Sequence, residues 1–207
     1  MLNTDRGVDN YPAFVVVGVL TFNLLTQTAV NATRVMYANL HLIRSIYFPR
    51  AIVPITSALT NLATFGPALL VMLGTVVVSG ELPTWRWLLL PVVITIVFVM
   101  TMGVALVGGR AGYELPDLYS LLPHLLRLLF YGSGILFLPA AFTDDERLLL
   151  LFEINPAFEV VSLMRWCLTG QPVDAWIWAA ASTWALFFLI GGLVYFWRAE
   201  ISYGGVQ

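Results

Sequence analysis

The sharpest chemistry in this 207-residue chain sits inside an apolar run. His124 and Arg127 stand three residues apart in Leu-Leu-Pro-His-Leu-Leu-Arg-Leu-Leu-Phe-Tyr, a spacing that brings both to one side of a helix. A guanidinium among leucines is costly in hydrocarbon and marks a functional position, and its planar fork suits phosphate oxygens. Its alternative partners are a carboxylate or helix carbonyls elsewhere in the protein. Phe130, Tyr131 and Phe137 follow, with aromatic faces available either to a ligand or to the core. Two polar stripes accompany them. Asn23, Gln27 and Asn31 recur every four residues, as do Thr56, Thr60 and Thr64, with Ser57 and Asn61 alongside the second set. In a membrane such stripes either hydrogen-bond neighbouring helices or line a water-filled path.

Other chemistries are excluded by residue type. All ten basic residues are arginine. The phosphate-binding loop of ATPases needs a lysine to reach the β- and γ-phosphates, so this chain has no such site of its own. Cys167 is the single cysteine, and His41 and His124 are far apart with no carboxylate at ligand spacing, so no metal site is expected. A net charge of −2 provides no footprint for nucleic acid. The one acidic run, Asp144-Asp145-Glu146, reads as a solvated loop rather than a catalytic pair. No catalytic residue is assigned.

These groups must be positioned by membrane helices. The chain is 59% hydrophobic and 11% charged, with a mean hydropathy of +0.86, against roughly 25% charged residues in a soluble domain. About 20 apolar residues cross a bilayer as a helix. Five stretches qualify: residues 11–30, 51–79, 87–107, 118–137 and 175–197. Pro54 and Pro67 should tilt or kink the second. Residues 148–168 are apolar too, but Glu153, Pro156, Glu159 and Arg165 argue for two short helices at or partway into the outer surface, the second capped by Asn155-Pro156 and closed by Gly170. There Glu153 and Glu159 are expected to be exposed, and a solvated face is one reading of them. The expectation is an all-α polytopic membrane protein with five transmembrane helices and two short outer-surface helices, forming one transmembrane domain.

Arginine placement orients the chain. Arg34, Arg44 and Arg50 cluster between the first two spans, which marks that segment cytoplasmic and puts the C-terminus inside and the N-terminus outside. Nine of the twelve carboxylates then fall outside. Arg127 lies about ten residues, roughly 15 Å, from the cytoplasmic end of its span. Trp85, Trp87, Trp176 and Trp178 read as interfacial anchors at the outer span ends. MLNTDRGVDN lacks the positive start of a secretory signal, and an N-terminus outside implies a further span before it. Within the cytoplasmic segment Met36, Leu40, Ile43 and Tyr47 share one helical face, predicting a short helix over residues 36–48 that either lies on lipid headgroups or docks a partner.

The segment Asn39-Leu40-x-Leu42-Ile43-Arg44-x-Ile46-Tyr47-Phe48-Pro49-Arg50, with a Tyr-Pro opening the first span and Ile52-x-Pro54 after it, resembles the membrane subunits of type-2 ABC exporters for polysaccharides. Leu121-Leu122-Pro123, Leu128-Leu129-Phe130-Tyr131 and Ile154-Asn155-Pro156 agree with that family of O-antigen, teichoic acid and galactan exporters. The resemblance implies a permease that dimerises and docks a separate nucleotide-binding ATPase, which would bind ATP and Mg²⁺. Leu40, Ile43, Arg44, Tyr47, Phe48 and Arg50 match the family's docking helix. Asn23, Gln27, His124, Arg127, Phe130 and Tyr131 become candidates for the channel, and Arg127 for the pyrophosphate of a lipid-linked glycan. The implied location is the bacterial inner membrane, among membrane lipid. Family members begin with an amphipathic helix and a span that this sequence lacks. Two rivals remain: a permease for drugs or lipids, and a membrane-embedded enzyme acting on polyprenyl-linked sugars.

Overall fold

The computed structural model describes residues 10–39, 50–139 and 146–203, and no strand occurs among them. Helix α1 spans Tyr11–Ala38, α2 Ile52–Val78, α3 Leu90–Glu114 after a 3-10 turn at Trp85–Leu89, α4 Leu118–Gly132, α5 Glu146–Glu153, α6 Pro156–Thr169 and α7 Ala175–Tyr203. Four segments are long and apolar enough to cross a membrane: Tyr11–Met36, Ile52–Val78, Trp85–Glu114 and Ala175–Arg198. The protein is an all-α polytopic membrane protein.

Several boundaries differ from the sequence reading. The first helix does not stop at residue 30 but continues through Ala38, so Met36 ends α1 instead of opening a separate helix. Nothing between residues 31 and 38 is glycine or proline, and Thr33 returns its hydroxyl to the Val30 carbonyl, so the helix has no reason to break there. Pro67 lies inside α2, while Pro54 sits in its first turn. The expected fourth span ends at Gly132, not at residue 137. Fifteen residues reach about 22 Å, less than the hydrocarbon thickness of about 30 Å. Gly134 has φ +59°, the left-handed conformation that turns the chain out of the helix.

Close contacts divide the chain into two compact units: residues 1–23, 65–96 and 127–182, and residues 24–64, 97–126 and 183–207. In the second, Met36, Val53, Leu106 and Phe196 form one buried cluster, and Ala32, Ala58 and Ala105 another where α1, α2 and α3 meet. Glycine sets the spacing of these helices. A side chain at Gly112 would overlap the Thr33 backbone of α1, and one at Gly103 would overlap the Phe188–Leu189 backbone of α7. Small residues allow such approach where lipid supplies no hydrophobic drive for helix association. Contact positions also give direction. Numbers rise together along α1 and α3 (29 and 32 with 108, 33 with 112) and along α3 and α7 (103 with 188, 110 with 195), so these three helices are parallel. They fall along α1 and α2, where Asn31 meets Asn61 and Met36 meets Val53, so α2 is antiparallel.

The first unit is built around α6. Ten of its fourteen residues are buried, including Glu159 and Arg165. Asn155 caps its N-terminus by accepting from the Ala157 N–H at 3.0 Å, Pro156 occupies its first turn, and Gly170 at φ +72° ends it. The 3-10 turn is fastened to that end. Arg86 Nη1 donates to the Gly170 carbonyl at 2.7 Å and its guanidinium lies 5.1 Å from the Trp166 ring, which also meets Trp85 and Trp178 edge-on. The expectation of an exposed Glu159 is therefore corrected: it is 1% exposed, and Arg165 on the same helix 2%.

Candidate functional site

The candidate polar residues lie on faces that packing leaves open. Along α1, Asn23, Gln27, Asn31 and Arg34 are exposed, while Phe14, Val17, Thr21, Leu24, Thr28 and Ala32 on its other side are buried. The buried threonines need no external partner, since Thr21 and Thr28 each donate to the carbonyl four residues back at 2.8 Å. The amides differ: Asn31 Nδ2 donates across to Asn61 Oδ1 at 2.8 Å, and Asn61 Nδ2 is buried with no partner among the described residues. On α2 the stripe Thr56, Thr60 and Thr64 is exposed, each hydroxyl satisfied by its own helix at 2.8–2.9 Å.

Helix α4 has no buried residue. Leu118, Leu122, Leu126 and Phe130 are half-buried at a spacing of four, one shallow packing face. Ser120, His124, Arg127 and Tyr131 fall at i, i+4, i+7 and i+11 and are all exposed, which extends the His124–Arg127 pair into a polar face along the whole helix. In the first unit Phe22 of α1 lies 5.4 Å from Phe130, which in turn meets Tyr131 at 5.5 Å. In the second, the Arg34 guanidinium sits 5.4 Å from the Tyr119 ring. Both contacts pair α4 with α1, so the two helices bearing exposed polar faces are neighbours within each unit. Phe137 lies beyond the helix and packs on Phe152 of α5 at 6.1 Å.

Of the six docking-helix residues, Leu40, Ile43, Arg44, Tyr47 and Phe48 lie outside the described residues, and Arg50 is half-buried just before α2. Arg165 and Glu159 are the residues the sequence reading misplaced. Arg165 donates from Nε to Phe14, from Nη1 to Gly134 and from Nη2 to Ile135, at 3.3, 3.4 and 2.6 Å, all backbone carbonyls, and its guanidinium carbon lies 3.4 Å from the Phe14 ring centroid. Burial lowers its pKa to about 9, which still leaves it charged at neutral pH. Neither oxygen of Glu159 has a hydrogen-bond partner among the described residues, and burial pushes its pKa up to about 8, so the carboxyl is mostly protonated at neutral pH. The Asn155-Pro156 cap announces α6 in the sequence, but no local signal shows that the helix is wrapped by others. Among the described residues no group of three His, Cys, Asp or Glu side chains gathers as a metal site would need.

Four apolar helices of membrane-crossing length among the described residues define a multi-pass membrane protein, with exposed polar residues along α1 and α4. Its relatives make the class specific. The chain is 26% identical over 159 residues to the O-antigen export system permease protein RfbA of Myxococcus xanthus, covering 77% of this chain and 60% of that permease. Two permeases of the same name from Klebsiella pneumoniae are each 22% identical over 159 residues, covering 76% of this chain and 61% of theirs. No protein-family model matches the chain. The chain is thus related to permease proteins of O-antigen export systems, and it spans about 60% of the length of the relatives it matches.

Proposed function

We propose that this chain is the permease subunit of an exporter that moves a lipid-linked polysaccharide across the bacterial inner membrane. Two copies surround the path, and a separate ATPase subunit, which binds ATP and Mg²⁺, drives it. The observation that carries the reading is the exposed Arg127 and Tyr131 of α4, on a helix that packs against α1 in the first unit through Phe22 and Phe130, where Asn23 is exposed too. Polar groups on apolar helices must meet protein or water, and a hydrated glycan path supplies water. The guanidinium suits the pyrophosphate that joins a glycan to its lipid carrier. The names of the relatives support the choice of a polysaccharide.

In this reading the ATPase docks on residues 36–48 through Leu40, Ile43, Arg44, Tyr47, Phe48 and Arg50. That segment and the C-terminus face the cytoplasm. ATP chemistry belongs to the partner because a chain without lysine has no phosphate-binding loop. The test is export measured by surface display of the glycan in cells lacking the native permease. Arg127→Ala should lower display at least tenfold while the protein stays in the membrane and co-purifies with its ATPase. Normal display from that variant removes Arg127 from the path. Transport of a drug or a free lipid with no glycan display points instead to a permease of that other kind.

A further inference from the structure

The four residues after α4 are each held from elsewhere in the first unit. Asn155 Nδ2 donates to Ser133 Oγ at 2.8 Å, Arg165 donates to the Gly134 and Ile135 carbonyls, and the Tyr11 hydroxyl donates to the Leu136 carbonyl at 3.2 Å. Ser133 then passes its own hydroxyl hydrogen to the Leu129 carbonyl at 2.6 Å, back in the last turn of α4. Two of these anchors, Asn155 and Arg165, belong to the cap and body of α6. Arg165 also grips Phe14 of α1 by its carbonyl and its ring. A single side chain therefore joins α6, α1 and the segment that ends α4.

The site is fitted to that side chain. Gly18 of α1 faces it, and a methyl group there would overlap Arg165 Nη2. Its bonds are to carbonyl dipoles, although a second buried ionisable group, the Glu159 carboxyl, lies on the same helix. Three carbonyls share one planar fork, so displacing the guanidinium frees all three at once. Arg127 and Tyr131 lie within two turns of the strapped segment, so a shift of α6 has a short mechanical route to both.

We propose that Arg165 is a positioning residue for export: through the strap at residues 133–136 it couples α6 to α4, so that a movement of α6 moves Arg127 and Tyr131. The inference rests on the reading of the polar face of α4 as part of the path. Cys167, the only native cysteine, is fully buried, so a cysteine introduced on α4 can be read against a quiet background. The test uses the gene product assembled with its ATPase in membrane vesicles, carrying Tyr131→Cys and Cys167→Ala. A water-soluble maleimide measures the labelling rate without nucleotide and with ATP trapped by vanadate.

With Arg165 intact the two rates should differ severalfold. Arg165→Gln should make them equal while the complex still assembles, and Arg165→Lys should keep part of the difference. Gly18→Ala, which displaces the guanidinium without changing charge, should match Arg165→Gln, and the double variant should be no worse than either alone. An unchanged nucleotide response in both Arg165→Gln and Gly18→Ala overturns the coupling. Rates that are equal even with Arg165 intact overturn the path reading of α4, and the coupling falls with it.

Discussion

Helices α4 and α6 are nearly the same length, and each carries an arginine among apolar residues, yet packing treats them in opposite ways. All fifteen residues of α4 are at least partly exposed, whereas ten of the fourteen in α6 are buried. Arg127 faces outward, while Arg165 is enclosed by three carbonyls and a ring. The comparison shows that an arginine in an apolar helix marks a need for polar company without saying where the company is. On α6 the fold supplies it, and the arginine is architecture. On α4 the described fold leaves it open, and the arginine is available for work.

The largest expected effect lies on α6. Arg165→Met strands the carbonyls of Phe14, Gly134 and Ile135, and at about 1 kcal/mol or more for each buried unsatisfied group the loss should be on the order of 3 kcal/mol. Thermal unfolding in detergent measures it, and an unchanged midpoint would remove Arg165 from the architectural side of the comparison. Glu159→Met acts in the other direction. The native carboxyl binds its proton more tightly than in the unfolded chain, so wild-type stability should fall as pH rises from about 4.5 to about 8 and level off above. The methionine variant should lose that slope and gain about 1–2 kcal/mol at pH 8, because a buried carboxyl with no partner is replaced by an apolar group of similar size. A retained slope would mean that another group titrates.

Arg127→Leu should separate the two helices most cleanly. Stability should stay within about 0.5 kcal/mol of wild type, as for an exposed position, while glycan display is lost. Loss of folding instead would show Arg127 to be as structural as Arg165. Smallest of all, Thr60→Val on α2 should change neither stability nor export measurably, since the hydroxyl is exposed and satisfied by the Thr56 carbonyl. A clear export defect there would move the α2 stripe into the path.

Hydropathy makes the four long helices plain, and residue spacing makes the polar faces of α1 and α4 plain, because both are properties of one segment at a time. The end of α4 was not visible. Ile-Leu-Phe-Leu after Gly134 reads as more helix, but the carbonyls of residues 134–136 accept from Arg165 and Tyr11 and the Ser133 hydroxyl accepts from Asn155, partners up to 125 residues away in sequence. The burial of Glu159 and Arg165 was hidden for the same reason. A transfer scale charges each for entering an apolar region and has no way to credit carbonyls on other elements, or a proton retained on a carboxyl. The candidate path was legible because polar residues recur at helical spacing within single segments; the strap was not, because it joins residues far apart in sequence.

The parallel run of α1, α3 and α7 has a practical reading for reporters. Arg34, Arg110 and Tyr195 stand near the far ends of three helices that point the same way. Helices that cross in one direction predict a single side of the membrane for the ends of α1 and α7, whichever compartment that is. A fluorescent tag fused after residue 207 and an epitope placed between α1 and α2 should be reached by the same reagent. One inserted at residues 82–84, before α3, should be reached only by its opposite.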